Sequence, residues 1–312
     1  KILWTTWLPC DALRMHRDNS LAAATPALDA DGIYMGWVNG GRVEALSLDH
    51  DGKLLWRKDL GAFKAVHGPG ASAMVIDEVV VVTNDQESPD AALHGLDRKT
   101  GTSIWRVERR PGNPSYATPA VRQGKDGRKE LVISSPSHGL TGIDPKSGKT
   151  IWEVPGILEL NVVASPVLGG DLALVTGGRG GEREGAVVAL DGQAARLLYR
   201  PEAKLPYVPT PVVVGAHCYL WDDQGSVTCL ELKTGKQLWS QRVTGPTYTS
   251  PVSDGKRLIG ISRKGELVVL AAAPEFRELG RFQLPEGTHA TPALAHGSLY
   301  IRTFHHLMRV GP

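Results

Sequence analysis

Three sets of residues in this 312-residue chain have types and spacings that could do chemistry. The first is acidic: Asp222-Asp223, and Asp85 with Glu87, put carboxylates side by side on loops after apolar runs. Such pairs can bind calcium or move protons, and they are equally what the polar tip of a turn looks like. The second set is His305-His306 and His138. Neighbouring residues on a strand point to opposite faces, which spoils joint ligation of a metal. The third is the glycine-rich stretch from Arg179 to Gly185. It is bracketed by strand-like runs and opens no helix, so it lacks the helix N-terminus that a phosphate cradle needs. It reads as an extended, mobile hairpin loop.

The cysteines are Cys10, Cys218 and Cys229, and none forms Cys-x-x-Cys, so there is no zinc or haem signature. Cys218 and Cys229 flank the Asp223-Gln224 turn symmetrically. That register predicts that they face each other across two antiparallel strands, as a buried reduced pair or a disulfide. A turn centred one residue later would separate them. Cys10 is expected to be unpaired.

Lys plus Arg number 35 against 33 for Asp plus Glu, a net charge of +2. That balance carries no electrostatic footprint for nucleic acid or an anionic membrane. No apolar run approaches the ~18 residues of a membrane span. The most helix-like stretch is 11–24. Residue 1 is Lys, which suggests a mature or trimmed chain whose signal peptide or lipid anchor would lie upstream.

The elements that must position these residues repeat. Gly-x-x-x-Trp recurs with Trp56, Trp105, Trp152 and Trp239, the first three 49 and 47 residues apart. A small residue followed by Pro runs in phase, at Thr25-Pro26, Thr118-Pro119, Ser165-Pro166, Thr210-Pro211, Ser250-Pro251 and Thr291-Pro292, with Gly68-Pro69 filling the remaining slot. Between markers lie four short β-rich runs separated by Gly and Asp turns, and four strands per period make one propeller blade. Tyr199 takes the Trp place in one worn copy and Leu279 in another. Lys1-Ile2-Leu3-Trp4 matches Lys53-Leu54-Leu55-Trp56 in type, so the N-terminal strand is expected to complete the last blade. The prediction is one all-β domain over 1–312, a seven-bladed β-propeller of four-stranded antiparallel blades.

The repeat Leu-Asp-x-x-Thr-Gly-x-x-x-Trp, best seen from Leu96 to Trp105, resembles that of the pyrroloquinoline-quinone-like (quinoprotein-like) propeller superfamily. The resemblance covers the whole chain. It implies either a periplasmic quinone- and calcium-dependent dehydrogenase or a non-catalytic scaffold, such as the lipoprotein of the outer-membrane barrel-assembly machinery. It also implies that Trp4, Trp56, Trp105, Trp152, Trp239 and Tyr199 lock neighbouring blades. The chain lacks the adjacent cysteine pair of the quinoprotein enzymes and is shorter than they are. The expectation is therefore no quinone, no calcium and no other metal, in a non-catalytic, extracytoplasmic scaffold that binds a protein or peptide.

In such a fold, residues just before each Pro ring one mouth of the channel: Ala23, Val66, Tyr116, Val163, Val208, Tyr248 and His289, with His67 beside them. Trp37, Asn39, Trp221 and Phe304 reach the same face from loops between second and third strands. Tyr116, Tyr248, His67, His289, Trp37, Trp221 and Phe304 are thus the candidate ligand- or partner-binding residues. The rival functions are an oxidoreductase holding quinone at that mouth, and a carbohydrate-binding propeller, which needs Trp37 and Trp221 exposed and flat.

Overall fold

The structure is a computed structural model that describes residues 2–11, 16–20, 22–65, 67–124, 127–192 and 194–311. Lys1, Val66 and, within the helix-like stretch, residues 12–15 and 21 lie outside the described residues. Among the described residues there are 27 strands in seven antiparallel sheets, with no helix. The sheets span 27–62, 74–108, 120–154, 167–199, 212–242, 252–283 and 293–310, each a meander bonded in chain order. This is the seven-bladed β-propeller fold. The chain divides into two compact units, 1–165 with 192–194, and 166–191 with 195–312. The first unit carries the first three sheets and the second carries the other four.

The middle strands of the second and fifth sheets are apolar on both faces, because each face is covered by a neighbouring sheet. In the first unit, Val80 and Val82 of Val79–Asn84 join Tyr34, Val38 and Trp56 of the first sheet. Val79 and Val81 join Leu131, Ile133 and Ile143 of the third. In the second unit, Cys218, Leu220 and Leu230 meet Leu174 and Val187 of the fourth sheet. Tyr219, Trp221 and Cys229 meet Leu258, Val268 and Leu270 of the sixth.

That division decides the cysteine question. Cys218 stands opposite Leu230 and Tyr219 opposite Cys229, so the pairing is offset by one residue from the symmetric expectation. A one-residue shift moves a side chain to the other face. The two cysteines are buried, free and on opposite faces, and Cys10 is free and exposed. Burial pushes the Cys229 thiol up to about 11.

The Asp-x-x-Thr-Gly turn has a definite geometry. Asp97 accepts hydrogen bonds from the backbone N–H of Lys99 (3.1 Å) and Thr100 (2.8 Å). Gly101 follows at φ +70°, and a Cβ there would collide with the Trp56 ring from the preceding sheet. Glycine is needed twice over, for the left-handed backbone and for the close approach. The Trp56 Nε1–H donates to the Arg98 carbonyl of the same turn at 2.9 Å. Trp105 donates likewise to Pro145 (2.9 Å), Tyr199 to Leu232 (2.5 Å) and Trp239 to Ala273 (3.2 Å). Trp4 donates to His50 (2.7 Å), with its ring against Gly52 of the first sheet. Trp152 departs from the series: its indole donates to Glu130 of its own sheet (2.9 Å), and Glu130 is paired with Arg122.

The Thr/Ser-Pro marker also has a physical role. The hydroxyl accepts the equivalent backbone N–H of the preceding sheet: Thr25 to Ser72 (2.9 Å), Ser72 to Thr118 (3.1 Å) and Thr118 to Ser165 (3.2 Å) in the first unit. In the second, Thr210 donates to Ser250 (2.9 Å) and Ser250 to Thr291 (3.0 Å). Ser72-Ala73 therefore holds the slot assigned to Gly68-Pro69. The hydroxyl defines the position, and Pro is only its frequent companion.

One further expectation changes, and another is not shown by the strand pairing. The Arg179–Gly185 stretch is a tight hairpin, with strands Leu172–Arg179 and Glu182–Asp191 running up to Gly180-Gly181. Positive φ at Gly180 alone, as in a type II′ turn, lets the ladder continue that far. The seventh sheet has three strands, and residues 2–10 carry no strand assignment. The pairing thus does not show the expected closure by the N-terminal strand. The contacts recorded for Trp4 and Thr6 are side-chain bonds to His50 and Gly52.

Trp221 is not a loop aromatic. It is 1% exposed, and its ring fills the space over Gly260 of the next sheet. Trp221→Ala is expected to cost ~3–5 kcal/mol in denaturant unfolding; a loss below about 1 kcal/mol would contradict this packing. His94 is also buried, and burial, followed by the charge of Arg106, lowers its pKa from 6.5 to about 4. The unfolded chain takes up this proton at higher pH than the fold does. Stability should therefore fall as pH drops from 6.5 to about 4, by up to roughly 3 kcal/mol. His94→Gln should flatten that part of the stability–pH curve, and an unchanged slope would show that His94 is not the cause.

Candidate functional site

The residues whose types could do acid–base or metal chemistry are used to hold loops. Asp85 pairs with Arg109 at 2.9 Å, and both side chains are almost wholly buried. Asp222 accepts the N–H groups of Gln224 (2.9 Å) and Ser226 (2.8 Å) in its own turn. Asp223 accepts those of Tyr207 (2.8 Å) and Val208 (3.1 Å) and lies 3.5 Å from Arg183. His138 accepts the Arg110 N–H at 3.0 Å and faces Glu153 at 3.1 Å. Burial, ahead of the Arg109 charge, keeps the His138 pKa below its ordinary value. Among the described residues, no three His, Cys, Asp or Glu converge as a metal site.

The candidate ring residues fall into one group in each unit. In the first, the His67 Nδ1 lies 3.3 Å from the Tyr116 hydroxyl, and the rings meet edge to face at 6.0 Å. The His16 ring is 5.4 Å from His67. Burial, then the neighbouring His16, lowers the His67 pKa. Asn19 fixes this loop through the carbonyls of His67 (2.7 Å) and Pro69 (2.9 Å). With Ser72 in the repeat slot, Gly70 is the preceding repeat's counterpart of Tyr116, and His67 lies further upstream. Trp37 is half-buried, donates to Glu44 at 2.9 Å and lies under the Arg57 guanidinium. Trp37, Phe63, Gln86 and Tyr116 line a cleft with a free volume of about 30 Å³, room for little more than a water molecule.

In the second unit, Tyr248, His289 and Phe304 form a chain of edge-to-face rings with centroids 5.3 Å apart. Arg263, which sequence reasoning missed, joins them. Its guanidinium lies 4.4 Å above the Tyr248 ring, and its Nε–H donates to the His289 Nε2 at 3.1 Å. That bond places the neutral imidazole's own proton on Nδ1. The only sequence hint of Arg263 was its place in the Arg263-Lys264-Gly265 turn between two apolar runs. Phe304 is 52% exposed. His305 and His306 do not ligate jointly: the His305 N–H donates to Glu286 at 3.0 Å, and the His306 Nδ1 faces the same carboxylate at 2.6 Å. The carbohydrate reading needs an exposed Trp221, and the burial of that ring removes its basis.

Against known proteins, the family model described as outer membrane protein assembly factor BamB matches residues 1–159 and 158–274. No curated protein sequence matches. The crystal structure of BamB from Moraxella catarrhalis is similar at TM-score 0.69 and 16% identity, covering 92% of this chain and 84% of that one. Quinohemoprotein alcohol dehydrogenase from Comamonas testosteroni is similar at TM-score 0.60 and 13% identity, over 88% of this chain and 61% of that one. A europium-containing methanol dehydrogenase reaches TM-score 0.54 at 11% identity, over 80% and 64%. These likenesses show the fold.

The Glu286 carboxyl should titrate far below the normal range. The His305 N–H, the Thr303 hydroxyl and then His306 hold its pKa down at about 2 rather than 4.5. A lowered carboxyl pKa contributes stability that is full above 4.5 and is lost as pH falls through about 2. An NMR titration of Glu286 should give a midpoint near 2 that rises toward 4.5 in His306→Ala. A wild-type midpoint already near 4.5 would show that this carboxylate does not pin the 303–306 turn.

Proposed function

The chain belongs to the family of pyrroloquinoline-quinone-like propellers described as outer membrane protein assembly factor BamB, and on that premise we propose that it is a non-catalytic, extracytoplasmic scaffold. It binds a protein or peptide partner in an envelope-associated assembly. The observation that carries this reading is the family match from residue 1 to 274. The engagement of Asp85, Asp222, Asp223, His138 and His306 in loop contacts supports it, because those groups serve turns. The loop aromatics then supply contact area. No helix among the described residues is long and apolar enough to cross a membrane.

Rigidity is part of the reading. Trp56, Trp105, Tyr199 and Trp239 each tie one strand to the turn of a neighbouring sheet, and Trp4 ties the N-terminal segment to the His50 carbonyl; we read these contacts as blade locks. Burying one such ring contributes roughly 2–4 kcal/mol. A stiff frame lowers the entropy that loops lose when a partner docks. Trp152, bonded within its own sheet, is the exception.

The rival reading is a quinone-dependent oxidoreductase, which the fold likeness to two dehydrogenases motivates. One experiment separates them. Immobilised protein should retain a specific partner from native envelope extract and lose it when Tyr116→Ala and Phe304→Ala are combined. The purified protein should show no new absorbance in the quinone region on addition of pyrroloquinoline quinone and calcium. Stoichiometric quinone binding, with no partner retained, would reverse the assignment.

A further inference from the structure

We propose that the seam between the second and third sheets holds an internal water molecule that joins the Arg109 guanidinium to the Ser135 hydroxyl. This goes beyond the scaffold reading and does not rest on it. Arg109 continues the alternation of Trp105 and Val107, which enter the core shared with the third sheet. Its backbone N–H bonds to the Ala91 carbonyl at 2.9 Å, so the ladder runs on and the side chain enters the same seam. There the Nε–H donates to Asp85 (2.9 Å), and Nη1 donates to the Thr141 hydroxyl (3.4 Å). Nη2 is buried and has no hydrogen-bond partner among the described residues. A buried charged donor without a partner costs more than a neutral one.

Two hydroxyls enter the same seam in the same condition. Thr141 stands opposite Ile133, and Ser135 follows Ile133 by two residues, so all three share one face of the third sheet. Ile133 packs with Val79 and Val81 of the second sheet, which makes that face the one toward Arg109. The Ser135 hydroxyl is buried and has no partner among the described residues. From the facing sheet comes Thr83, next in the Val79–Val81 alternation and opposite Leu93 of the same core. Its hydroxyl is likewise buried and unpartnered. Polar atoms of Arg109, Ser135 and Thr83 thus gather around the Asp85–Arg109 pair.

The preceding seam shows what occupies this place when the side chain is longer. Val81 and Val132 are equivalent, since each stands opposite the glycine that faces its own sheet's Trp. Ser135 therefore holds the position of Asn84 in the second sheet. The Asn84 amide reaches the Ala62 carbonyl of the first sheet (3.2 Å) and the Asp90 carbonyl of its own (3.4 Å). Serine is smaller than asparagine by roughly the volume of one water molecule, about 30 Å³. Water suits the atoms present. It accepts from the guanidinium and both donates to and accepts from a hydroxyl, while Asp85 already supplies the negative partner of Arg109. The water braces an ion pair whose Asp85 carbonyl accepts the Ser115 N–H at 2.9 Å, one residue before Tyr116.

The test combines crystallography with denaturant unfolding of the full chain. Wild-type crystals diffracting well enough to order internal water should show one within hydrogen-bond distance of both the Arg109 Nη2 and the Ser135 Oγ. Ser135→Ala should lower the unfolding midpoint, because it strips a partner from the water. Ser135→Asn should raise the midpoint again above that of Ser135→Ala, with the amide standing in the water's place in its crystals. A wild-type structure with no water bonded to both atoms would overturn the proposal. So would a Ser135→Ala midpoint equal to or above wild type, the result for a buried hydroxyl that has no partner to lose. A Ser135→Asn midpoint at or below that of Ser135→Ala would show that the seam has no room for the water, and would overturn it too.

Discussion

Interior sheets of this protein, such as the second and the fifth, are apolar on both faces, and the rest of the structure follows from that. A lone four-stranded sheet of this kind would expose two rows of Val, Leu and Ile to water. Val79–Asn84 shows the solution, with alternate valines entering the cores shared with the first and third sheets. Neither core exists without the neighbour. The unit of stability is therefore the pair of adjoining sheets, and changes in the interior are felt across a seam.

Apolar packing is not directional, so it does not by itself fix where one sheet stops against the next. Two sets of polar contacts supply the register. At one end of a seam, a Ser or Thr hydroxyl accepts a backbone N–H from the preceding sheet. At the other, an aromatic N–H or O–H reaches the carbonyl of an Asp-x-x-Thr-Gly turn. Each bond is worth only about 1 kcal/mol. Their value lies in recurrence, since the same two points are set at most seams described within each unit. Trp152 breaks the pattern, and there the buried Glu130–Arg122 pair takes the indole N–H.

The same economy explains why the acidic and histidine clusters in the sequence look more catalytic than they are. A propeller has many turns, and carboxylates and imidazoles satisfy the backbone groups that turns expose. What remains after those duties is a set of rings and cations on loops. In the second unit they form one layer, with Arg263 holding Tyr248 and His289 in place. In the first, His67 and Tyr116 meet at a smaller surface beside the Trp37 cleft. Surfaces of this kind suit recognition of another chain, which is how we read the molecule.

Sequence alone determined the strand-rich repeat, the number of sheets and the family, because each follows from local periodicity: alternating apolar residues, Gly turns and a recurrent aromatic. It also picked out Tyr248, His289 and Phe304, whose places follow from the same repeat. Tertiary structure decided whatever depends on one residue of register or on what lies across a seam. The Cys218–Cys229 relation turned on a one-residue offset in strand pairing. The Gly68-Pro69 assignment failed because the hydroxyl of Ser72, not a proline, defines the slot. Trp221 read as a surface ring because the space that buries it is made by Gly260 in another sheet, and no pattern along the strand encodes a missing side chain 39 residues away. Arg263 was invisible for the same reason: its partners are distant in the chain and adjacent only after folding.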